Sequence, residues 1–276
     1  MEIKNHRLEG EGIAYQPSPN RGGELRPDAI VIHYTAGRDV QSAVATLCNP
    51  DVRASAHLVI GRVGEIYQLV PFNRVAWHAG KSSFGGREGY NGYSIGIELD
   101  NAGLLTRNGT RYYSWFGREY PESEVFYGVH RNQQVARYWH RYTERQIELT
   151  ETLCRLLMAK YPIREILGHE EISPHRKIDP GPAFPLDKLR YRLLMADRSG
   201  EEGDELILPA PGRVNTSRLN IREEPSLHSE KIARPLPEDQ PVTVLEKKGE
   251  WYRVSTVIEG WVAAKYIEID SPKEVS

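Results

Sequence analysis

Apolar residues recur with strand-like spacing in two segments of the first half of the chain. Residues 29–35 form a β-branched, apolar run that is typical of a strand buried within a sheet. In residues 94–101, Ile95, Ile97 and Leu99 fall on one face of a second predicted strand, because successive side chains of a strand point to opposite sides. Two further apolar runs, 56–60 and 66–70, flank a short polar turn and predict a β-hairpin.

Helical spacing follows these strands. A short helix is predicted at 40–48, and apolar residues three and four apart between Glu144 and Tyr161 predict a long amphipathic helix that Pro162 ends. Residues 185–195 predict a closing helix with leucines on one side. This order of strands and helices predicts a mixed α/β module.

Residues 101–140 separate the second strand from the long helix and exceed the usual length of a loop. The segment is rich in aromatic residues: Tyr112, Tyr113, Trp115, Phe116, Tyr120, Phe126, Tyr127 and Trp139. Two interpretations remain open for them. They line a saccharide or peptide groove, because aromatic faces cover the apolar faces of sugars, or they form a small core that packs an insertion onto the domain.

The last quarter of the chain has a different pattern. Residues 199–205 are acidic, polar and glycine-containing, which is typical of a linker. Beyond them, short strand-like runs alternate with turn residues at 212–215, 219–222, 241–246, 251–254 and 260–263. The spacing predicts a small β-barrel.

Composition narrows the possible functions. The chain has 276 residues, 39% of them hydrophobic, which suits one full core and a smaller second module. A formal net charge of −2 does not favour a nucleic-acid partner, which would require a strongly basic face. The two cysteines do not suggest a disulfide framework, and the sequence indicates no particular oligomeric state.

The segment from Gly168 to Pro182 carries the strongest chemical signal. It contains His169, Lys177 and Asp179, and its Ser-Pro and Pro-Gly-Pro sequences favour a compact loop that directs side chains toward one point. A histidine nitrogen and a carboxylate oxygen suit zinc. An ammonium group has no lone pair, so Lys177 is predicted to stabilise an oxyanion rather than to bind the metal.

Catalytic zinc usually takes three protein ligands, and His33, at the end of the first predicted strand, is the candidate for the third. Glu98 lies on the opposite face of its strand from the apolar residues and is predicted to act as a general base. Considered singly, each residue has an ordinary structural alternative: a hydrogen-bonded core histidine for His33, an ion-paired strand residue for Glu98, and a solvated surface charge for Lys177.

Together these segments resemble the zinc-dependent N-acetylmuramoyl-L-alanine amidases of the type-2 family, which share their fold with animal peptidoglycan recognition proteins. The resemblance runs in family order from about Asp28 to Asp187. It rests on seven motifs: 30–36 (IVIHYTA), 54–57 (ASAH), 64–71 (GEIYQLVP), 76–80 (AWHAG), 94–98 (SIGIE), 168–169 (GH) and 176–182 (RKIDPGP).

The resemblance implies an α/β fold with a mixed central sheet flanked by helices. It implies that His33, His169 and Asp179 hold Zn²⁺ and that Glu98 and Lys177 act in catalysis. It also implies a substrate-binding role for four residues: His57, Trp77, His78 and Asn101. For the two histidines among these four, a structural hydrogen bond is the alternative.

A second resemblance, to the bacterial SH3-like domains often attached to wall hydrolases, covers roughly residues 207–269. It rests on 219–226 (LNIREEPS), 250–254 (EWYRV) and 260–266 (GWVAAKY). We therefore predict a catalytic domain at 1–198, with its core at about 28–190 and an insertion at about 101–140. The linker 199–205 and an SH3-like domain at 206–276 follow.

The implied activity is hydrolysis of the amide between the lactyl group of N-acetylmuramic acid and L-alanine of the peptidoglycan stem peptide. One alternative is an amidase that recycles soluble anhydromuropeptides, and another is a peptidoglycan-binding protein without hydrolytic activity. Retention of all three expected ligands speaks against the last, and the SH3-like domain favours polymeric wall over soluble fragments.

The first ten residues lack the apolar stretch of a classical signal peptide, and no window approaches the length of a transmembrane segment. We expect action on peptidoglycan in the periplasm or cell envelope, with recycling in the cytoplasm as the alternative.

Overall fold

The computed structural model describes residues 1–195, 210–227 and 229–256. Contacts between Cα atoms divide the chain into two units, residues 1–201 and 202–276. Because the predicted linker lies outside the described residues, the domain limits given above stay a prediction.

The first unit contains seventeen strands among its described residues, most of them short. They are β1 (Glu2–Lys4), β2 (Arg7–Glu9), β3 (Ile13–Tyr15), β4 (Arg21–Glu24), β5 (Ala29–Tyr34), β6 (Leu58–Ile60), β7 (Ile66–Gln68), β8 (Arg74–Ala76), β9 (Ser83–Phe84), β10 (Arg87–Glu88), β11 (Ser94–Leu99), β12 (Leu104–Asn108), β13 (Arg111–Tyr113), β14 (Glu119–Tyr120), β15 (Val125–Val129), β16 (Ala136–His140) and β17 (Glu165–Gly168). The α-helices are α1 (Val40–Leu47), α2 (Glu144–Lys160), α3 (His169–Ile172) and α4 (Leu186–Arg190), and a π-helical turn, Tyr191–Met195, continues the last of them.

A six-stranded mixed sheet in the order β17-β5-β11-β6-β7-β3 forms the centre of this unit. The first four strands of this order, β17, β5, β11 and β6, run parallel to one another. Strands β6 and β7 form the predicted antiparallel hairpin, and β3 pairs in parallel with β7. The predictions of a buried strand at β5, of a strand at 94–99 and of an α/β module with a mixed central sheet are confirmed.

Side-chain alternation gives the sheet two different faces. On one face, Ile30 and Ile32 of β5 and the apolar residues of β11 belong to a core that includes leucines of α2 and α4. On the other face, Ala29 and Val31 pack with Ala79, Tyr90 and Leu167. His33 continues the odd-numbered series of β5, so it projects on the side away from α2.

The long helix α2 is fixed at both ends by local sequence. The Thr143 side chain accepts a hydrogen bond from the Gln146 backbone N–H, and the Gln146 side chain accepts one from the Thr143 N–H, which forms a capping box. The amide of Gln146 also donates to the backbone oxygens of Ile60 and Asp100 at the ends of two central strands. The helix ends before Pro162, as predicted.

The insertion folds as an antiparallel five-stranded sheet in the order β14-β13-β12-β16-β15. Some of its apolar residues form a small core: Ala102, Leu105, Tyr112, Tyr120 and Val125 are buried there, and Phe116 and Tyr138 pack against them. This arrangement confirms the small-core interpretation for part of the aromatic set.

The described part of the second unit is all β. Strands β18 (Ala210–Arg213), β21 (Pro241–Lys248) and β22 (Trp251–Ser255) form one antiparallel sheet, and β19 (Arg218–Leu219) pairs with β20 (Leu236–Pro237). The predicted run at 260–263 lies outside the described residues. In the parts of both units that the structure describes, no helix is both long and apolar enough to cross a bilayer.

Candidate active site

Three neighbouring parallel strands bring the predicted catalytic residues to one edge of the central sheet. His33 and Glu98 are directly opposite each other in the register of β5 and β11. Gly168 ends β17 opposite Ile32, so His169, the next residue, lies beside His33. Residues distant in sequence therefore meet where the carboxyl ends of parallel strands open toward solvent, the usual location of sites in such sheets.

Asp179 approaches this edge from the loop after α3, and neighbouring groups hold that loop in place. The Glu170 N–H donates to the Asp179 backbone oxygen at 2.8 Å, and the Tyr142 hydroxyl donates to the Pro180 oxygen at 2.7 Å. The Gly181 N–H donates to the carboxylate of Glu170 at 3.0 Å. The backbone on both sides of Asp179 is thereby fixed.

Three potential ligand atoms form a nearly equilateral triangle. His33 Nδ1 lies 2.9 Å from His169 Nδ1, and Asp179 Oδ2 lies 3.0 Å from each of these nitrogens. All three residues are buried. A tetrahedral zinc ion with bonds of about 2.0–2.1 Å holds its ligand atoms roughly 3.3 Å apart, so the set fits zinc after an outward adjustment of a few tenths of an ångström.

Backbone carbonyl groups determine the tautomers of both ligand histidines. His169 Nε2 lies 3.1 Å from the Ala79 oxygen, and His78 Nε2 lies 3.3 Å from the Ser94 oxygen. A carbonyl oxygen only accepts, so each of these nitrogens carries the hydrogen. His78 Nδ1 then accepts from His33 Nε2, 2.9 Å away, which leaves the Nδ1 lone pairs of His33 and His169 directed at the carboxylate of Asp179.

The same tautomers leave no hydrogen between the three converging atoms. The three lone pairs therefore need a positive charge between them, which is either a second proton on one of the imidazoles or a metal cation. Burial, reinforced by the neighbouring His169, lowers the pKa of His33 from 6.5 to about 4, so His33 is neutral at pH 7. The neutral imidazole is the form that binds metal.

Glu98 has an unsatisfied carboxylate at the edge of this cluster. Its Oε2 atom is buried and has no hydrogen-bond partner in the part of the chain that the structure describes. Burial and the nearby Asp179 raise the pKa of Glu98 from 4.5 to about 8, while Lys177 opposes the rise. A carboxylate with a raised pKa beside a metal site is suited to accepting a proton near neutral pH.

The cluster opens into a cavity of about 390 Å³. His169, Asp179, Glu98 and Lys177 all line it, as do Trp77 and His78 among the predicted substrate-binding residues. The remaining wall consists of Tyr34, Thr35, Ala36, Leu47, Ala54, Ser55, Arg176 and Ile178.

His57 and Asn101, also predicted to bind substrate, lie outside the wall of this cavity. His57 is fully buried: its Nδ1 accepts from the Gly96 N–H and its Nε2 donates to the Arg74 oxygen. The Asn101 side chain donates to the His140 oxygen and accepts from the Gly103 N–H, which joins the two ends of the insertion at its base. Both placements favour a structural role.

Sequence reasoning missed several residues that support the site. Gly96 is required because a Cβ atom there would lie 2.4 Å from the His78 ring. Glu170, besides holding Gly181, lies 2.6 Å from His130 and 3.0 Å from Arg131 of the insertion. An isolated charged residue such as Glu170 carries no sequence signal of such tertiary contacts. A glycine within an otherwise apolar strand, such as Gly96, does indicate that another group packs closely against the strand.

Two family models match the chain. The model described as N-acetylmuramoyl-L-alanine amidase matches residues 23–182. The model described as bacterial SH3 domain matches residues 217–268.

Curated relatives cover much of the same region. The 1,6-anhydro-N-acetylmuramyl-L-alanine amidase AmpD of Salmonella typhimurium is 32% identical over 208 residues, which is 67% of this chain and 91% of that protein. The N-acetylmuramoyl-L-alanine amidase AmiD of Escherichia coli is 34% identical over 194 residues, or 66% of this chain and 59% of that protein. A solved complex of E. coli AmiD with the substrate anhydro-N-acetylmuramic acid-L-Ala-D-gamma-Glu-L-Lys aligns with a TM-score of 0.47 and 31% identity, covering 62% of this chain and 58% of that one.

The raised pKa of Glu98 predicts a pH-dependent effect on the stability of the metal-free protein. Because the pKa in the folded state, about 8, lies above the ordinary value of 4.5, folding favours the protonated form, and the free energy of unfolding falls as pH rises between these values. Glu98→Gln carries no such charge. In the presence of a chelator, this variant should therefore unfold at a higher temperature than the wild type near pH 8.5 and at a similar temperature near pH 4.5. An equal difference at both pH values would contradict the assignment.

Proposed function

The chain belongs to the N-acetylmuramoyl-L-alanine amidase family, and we propose that it hydrolyses the amide between the muramic lactyl group and L-alanine with zinc held by His33, His169 and Asp179. The observation that carries the metal assignment is the convergence of three lone pairs within 3.0 Å of one another. Two imidazoles and one carboxylate with a fourth side open to a cavity match the ligand set of a catalytic zinc site.

Zinc held by His33, His169 and Asp179 would supply Lewis-acid polarisation of the scissile carbonyl and would lower the pKa of the attacking water. Glu98 lines the same cavity and accepts the proton of that water. Its raised pKa favours the protonated carboxyl near neutral pH, and this is the form that can transfer the proton to the departing amine of L-alanine. One carboxylate therefore serves both halves of the hydrolysis.

Lys177 provides a positive charge for the oxyanion that develops on the scissile carbonyl. It lies two residues before Asp179 and lines the cavity, and its charge acts on Glu98. We propose that its ammonium group stabilises the oxyanion that forms on the scissile carbonyl. Loss of one such donor typically lowers turnover by about two to three powers of ten.

We propose that His78 positions His33 and does not itself take part in the reaction. Its hydrogen bond to His33 Nε2, relayed to the Ser94 carbonyl, keeps the lone pair of His33 Nδ1 directed at the metal position. Burial and the neighbouring histidines lower the pKa of His78 well below 6.5, so the ring stays neutral and able to accept. Because His78 also lines the cavity, contact with substrate is compatible with this role.

Two forms of substrate carry the proposed bond. AmpD, named for its action on 1,6-anhydro-N-acetylmuramyl-L-alanine, is related along 91% of its length, which favours soluble anhydromuropeptides. The match to a bacterial SH3 domain at 217–268 favours polymeric peptidoglycan as the second candidate, because tethering raises the effective concentration of an insoluble substrate. Hydrolysis of purified anhydromuropeptides and of intact sacculi, compared at equal enzyme concentration, distinguishes the two.

We predict that the purified protein binds about one zinc ion per chain and that a matched pair of isosteric variants separates metal binding from proton transfer. Asp179→Asn should lose zinc and activity together because it removes a ligand charge. Glu98→Gln should retain zinc while turnover falls, because the carboxylate moves a proton. Metal analysis and release of free L-alanine amino groups from a muropeptide provide the two measurements.

Removal of zinc from the wild type with a chelator should abolish hydrolysis, and added zinc should restore it. Full activity of the exhaustively chelated protein would contradict the metal assignment. Loss of zinc from Glu98→Gln would instead identify Glu98 as a ligand.

The role of His78 predicts weaker zinc binding when its ring nitrogen is removed. His78→Phe keeps a ring beside Gly96 but cannot accept from His33, and we expect zinc affinity to fall by roughly 10- to 100-fold in a competition assay with a chromophoric chelator. His78→Gln, whose side-chain oxygen can accept, should recover part of the loss. Wild-type affinity in His78→Phe, with the protein folded by circular dichroism, would rule out the positioning role.

A further inference from the structure

One large aromatic side chain of the insertion is exposed, and its only polar atom is held by a hydrogen bond to the protein backbone. Trp115 has 75% of its surface accessible, while its indole Nε1 donates to the backbone oxygen of Ala36 at 2.8 Å. Every other aromatic residue of the insertion is less exposed than Trp115. Trp115 is therefore fixed in orientation but presents its ring to solvent.

The turn that carries Trp115 is anchored on both sides. Between β13 and β14, the Ser114 N–H donates to the Arg118 oxygen, and the Arg118 N–H donates to the Ser114 hydroxyl. Phe116 contacts Trp115 edge-on at 5.6 Å between ring centroids and packs against the small core of the insertion. An indole held in this way loses little conformational freedom on binding a ligand.

Trp115 does not itself line the catalytic cavity, but its indole is hydrogen-bonded to the rim of that cavity. Its hydrogen-bond acceptor, Ala36, lines that cavity together with Thr35 and Tyr34, the residues that directly follow His33. Ala36 adopts a left-handed backbone conformation with φ of 49°, which turns the chain at this point. Trp115 therefore adds an apolar surface beside the cavity that contains the proposed zinc site.

Charges around the cavity are unevenly distributed. Arg176 and Lys177 line the cavity wall on the loop before Asp179. Lys177 is assigned above to the scissile carbonyl, and the positive charge of Arg176 suits a carboxylate of the stem peptide. Two arginines near Trp115, Arg38 and Arg118, line a separate small hollow instead. That hollow also contains a third arginine, Arg62, and three acidic residues that offset the charge of the three arginines: Asp39, Asp100 and Glu124. The main cavity thus has a cationic wall and, at Ala36, an aromatic rim.

We propose that Trp115 forms a saccharide subsite in which the exposed indole face stacks on a pyranose ring of the substrate glycan. Sugar rings present apolar C–H faces that fit a flat aromatic surface, and they lack the carboxylates that would require a cationic partner. The subsite rests on the proposed amidase function, because it assigns the glycan side of the substrate to this rim and the peptide side to the cationic wall.

Kinetics of three variants test the subsite. Trp115→Ala should raise KM for a glycan-bearing muropeptide by roughly tenfold with kcat little changed, since the residue touches no reacting atom. Trp115→Phe, which keeps an aromatic face, should recover most of the affinity. Tyr127→Ala is the matched control, because Tyr127 is 61% exposed but belongs to β15, at the opposite edge of the insertion sheet. An unchanged KM in Trp115→Ala would overturn the proposal.

A binding measurement tests the subsite without catalysis. The neutral tetrasaccharide of N-acetylglucosamine should shift the indole N–H signal of Trp115 in the nuclear magnetic resonance spectrum of the full chain, with the signal assigned from Trp115→Phe. A stem tripeptide without sugar should leave it unchanged. A shift with the tripeptide alone would overturn the proposal in favour of a peptide contact.

The two proposals fail in distinguishable ways. Absence of amide hydrolysis by the wild type would remove the proposed function, while the tetrasaccharide shift would still report on Trp115. Hydrolysis by the wild type without any effect of Trp115→Ala on KM would retain the amidase and remove the subsite.

Discussion

The convergence of three buried lone pairs is the constraint on which the rest of this unit depends. His33 Nδ1, His169 Nδ1 and Asp179 Oδ2 face one another at 2.9–3.0 Å. The Ala79 oxygen behind His169 and the His78 ring behind His33 place the imidazole hydrogens on the far side. Such an arrangement is unfavourable without a cation because like partial charges are brought together in a poorly solvated site. A metal bound at this position would convert the same geometry into a source of stability and would couple metal binding to folding.

The fold holds this cluster together from several directions. Parallel pairing of β5 with β11 and β17 aligns the strand ends, and Gly96 in β11 leaves space for the His78 ring that orients His33. The insertion contributes from a distance: His130 and Arg131 contact Glu170, whose carboxylate holds the backbone beyond Asp179. The insertion is therefore part of the support of the site, and it also carries the exposed Trp115 at the rim of the cavity.

Much of this could be predicted from sequence because the signals were local or came in a fixed order. The buried strand of His33, the alternation around Glu98 and the seven ordered motifs led to the family that the family model identifies at 23–182. The β-fold of the insertion was not predictable, because its strands have only two to five residues and its core depends on distant pairings. For His57 and Asn101 the sequence does not separate two roles, because a buried residue bonded to backbone atoms and a residue that faces substrate give the same sequence signal. Substrate binding by these two residues stays a prediction.

The most direct test of the central claim is hydrolysis of an anhydromuropeptide in water enriched in oxygen-18, followed by mass spectrometry of both products. We expect one heavy oxygen in the lactyl carboxylate of the muramic acid and an unlabelled stem peptide with a free L-alanine amine, and we expect this cleavage to depend on zinc and on Glu98. Label in a peptide carboxylate, or cleavage of a glycosidic bond in place of the amide, would contradict it.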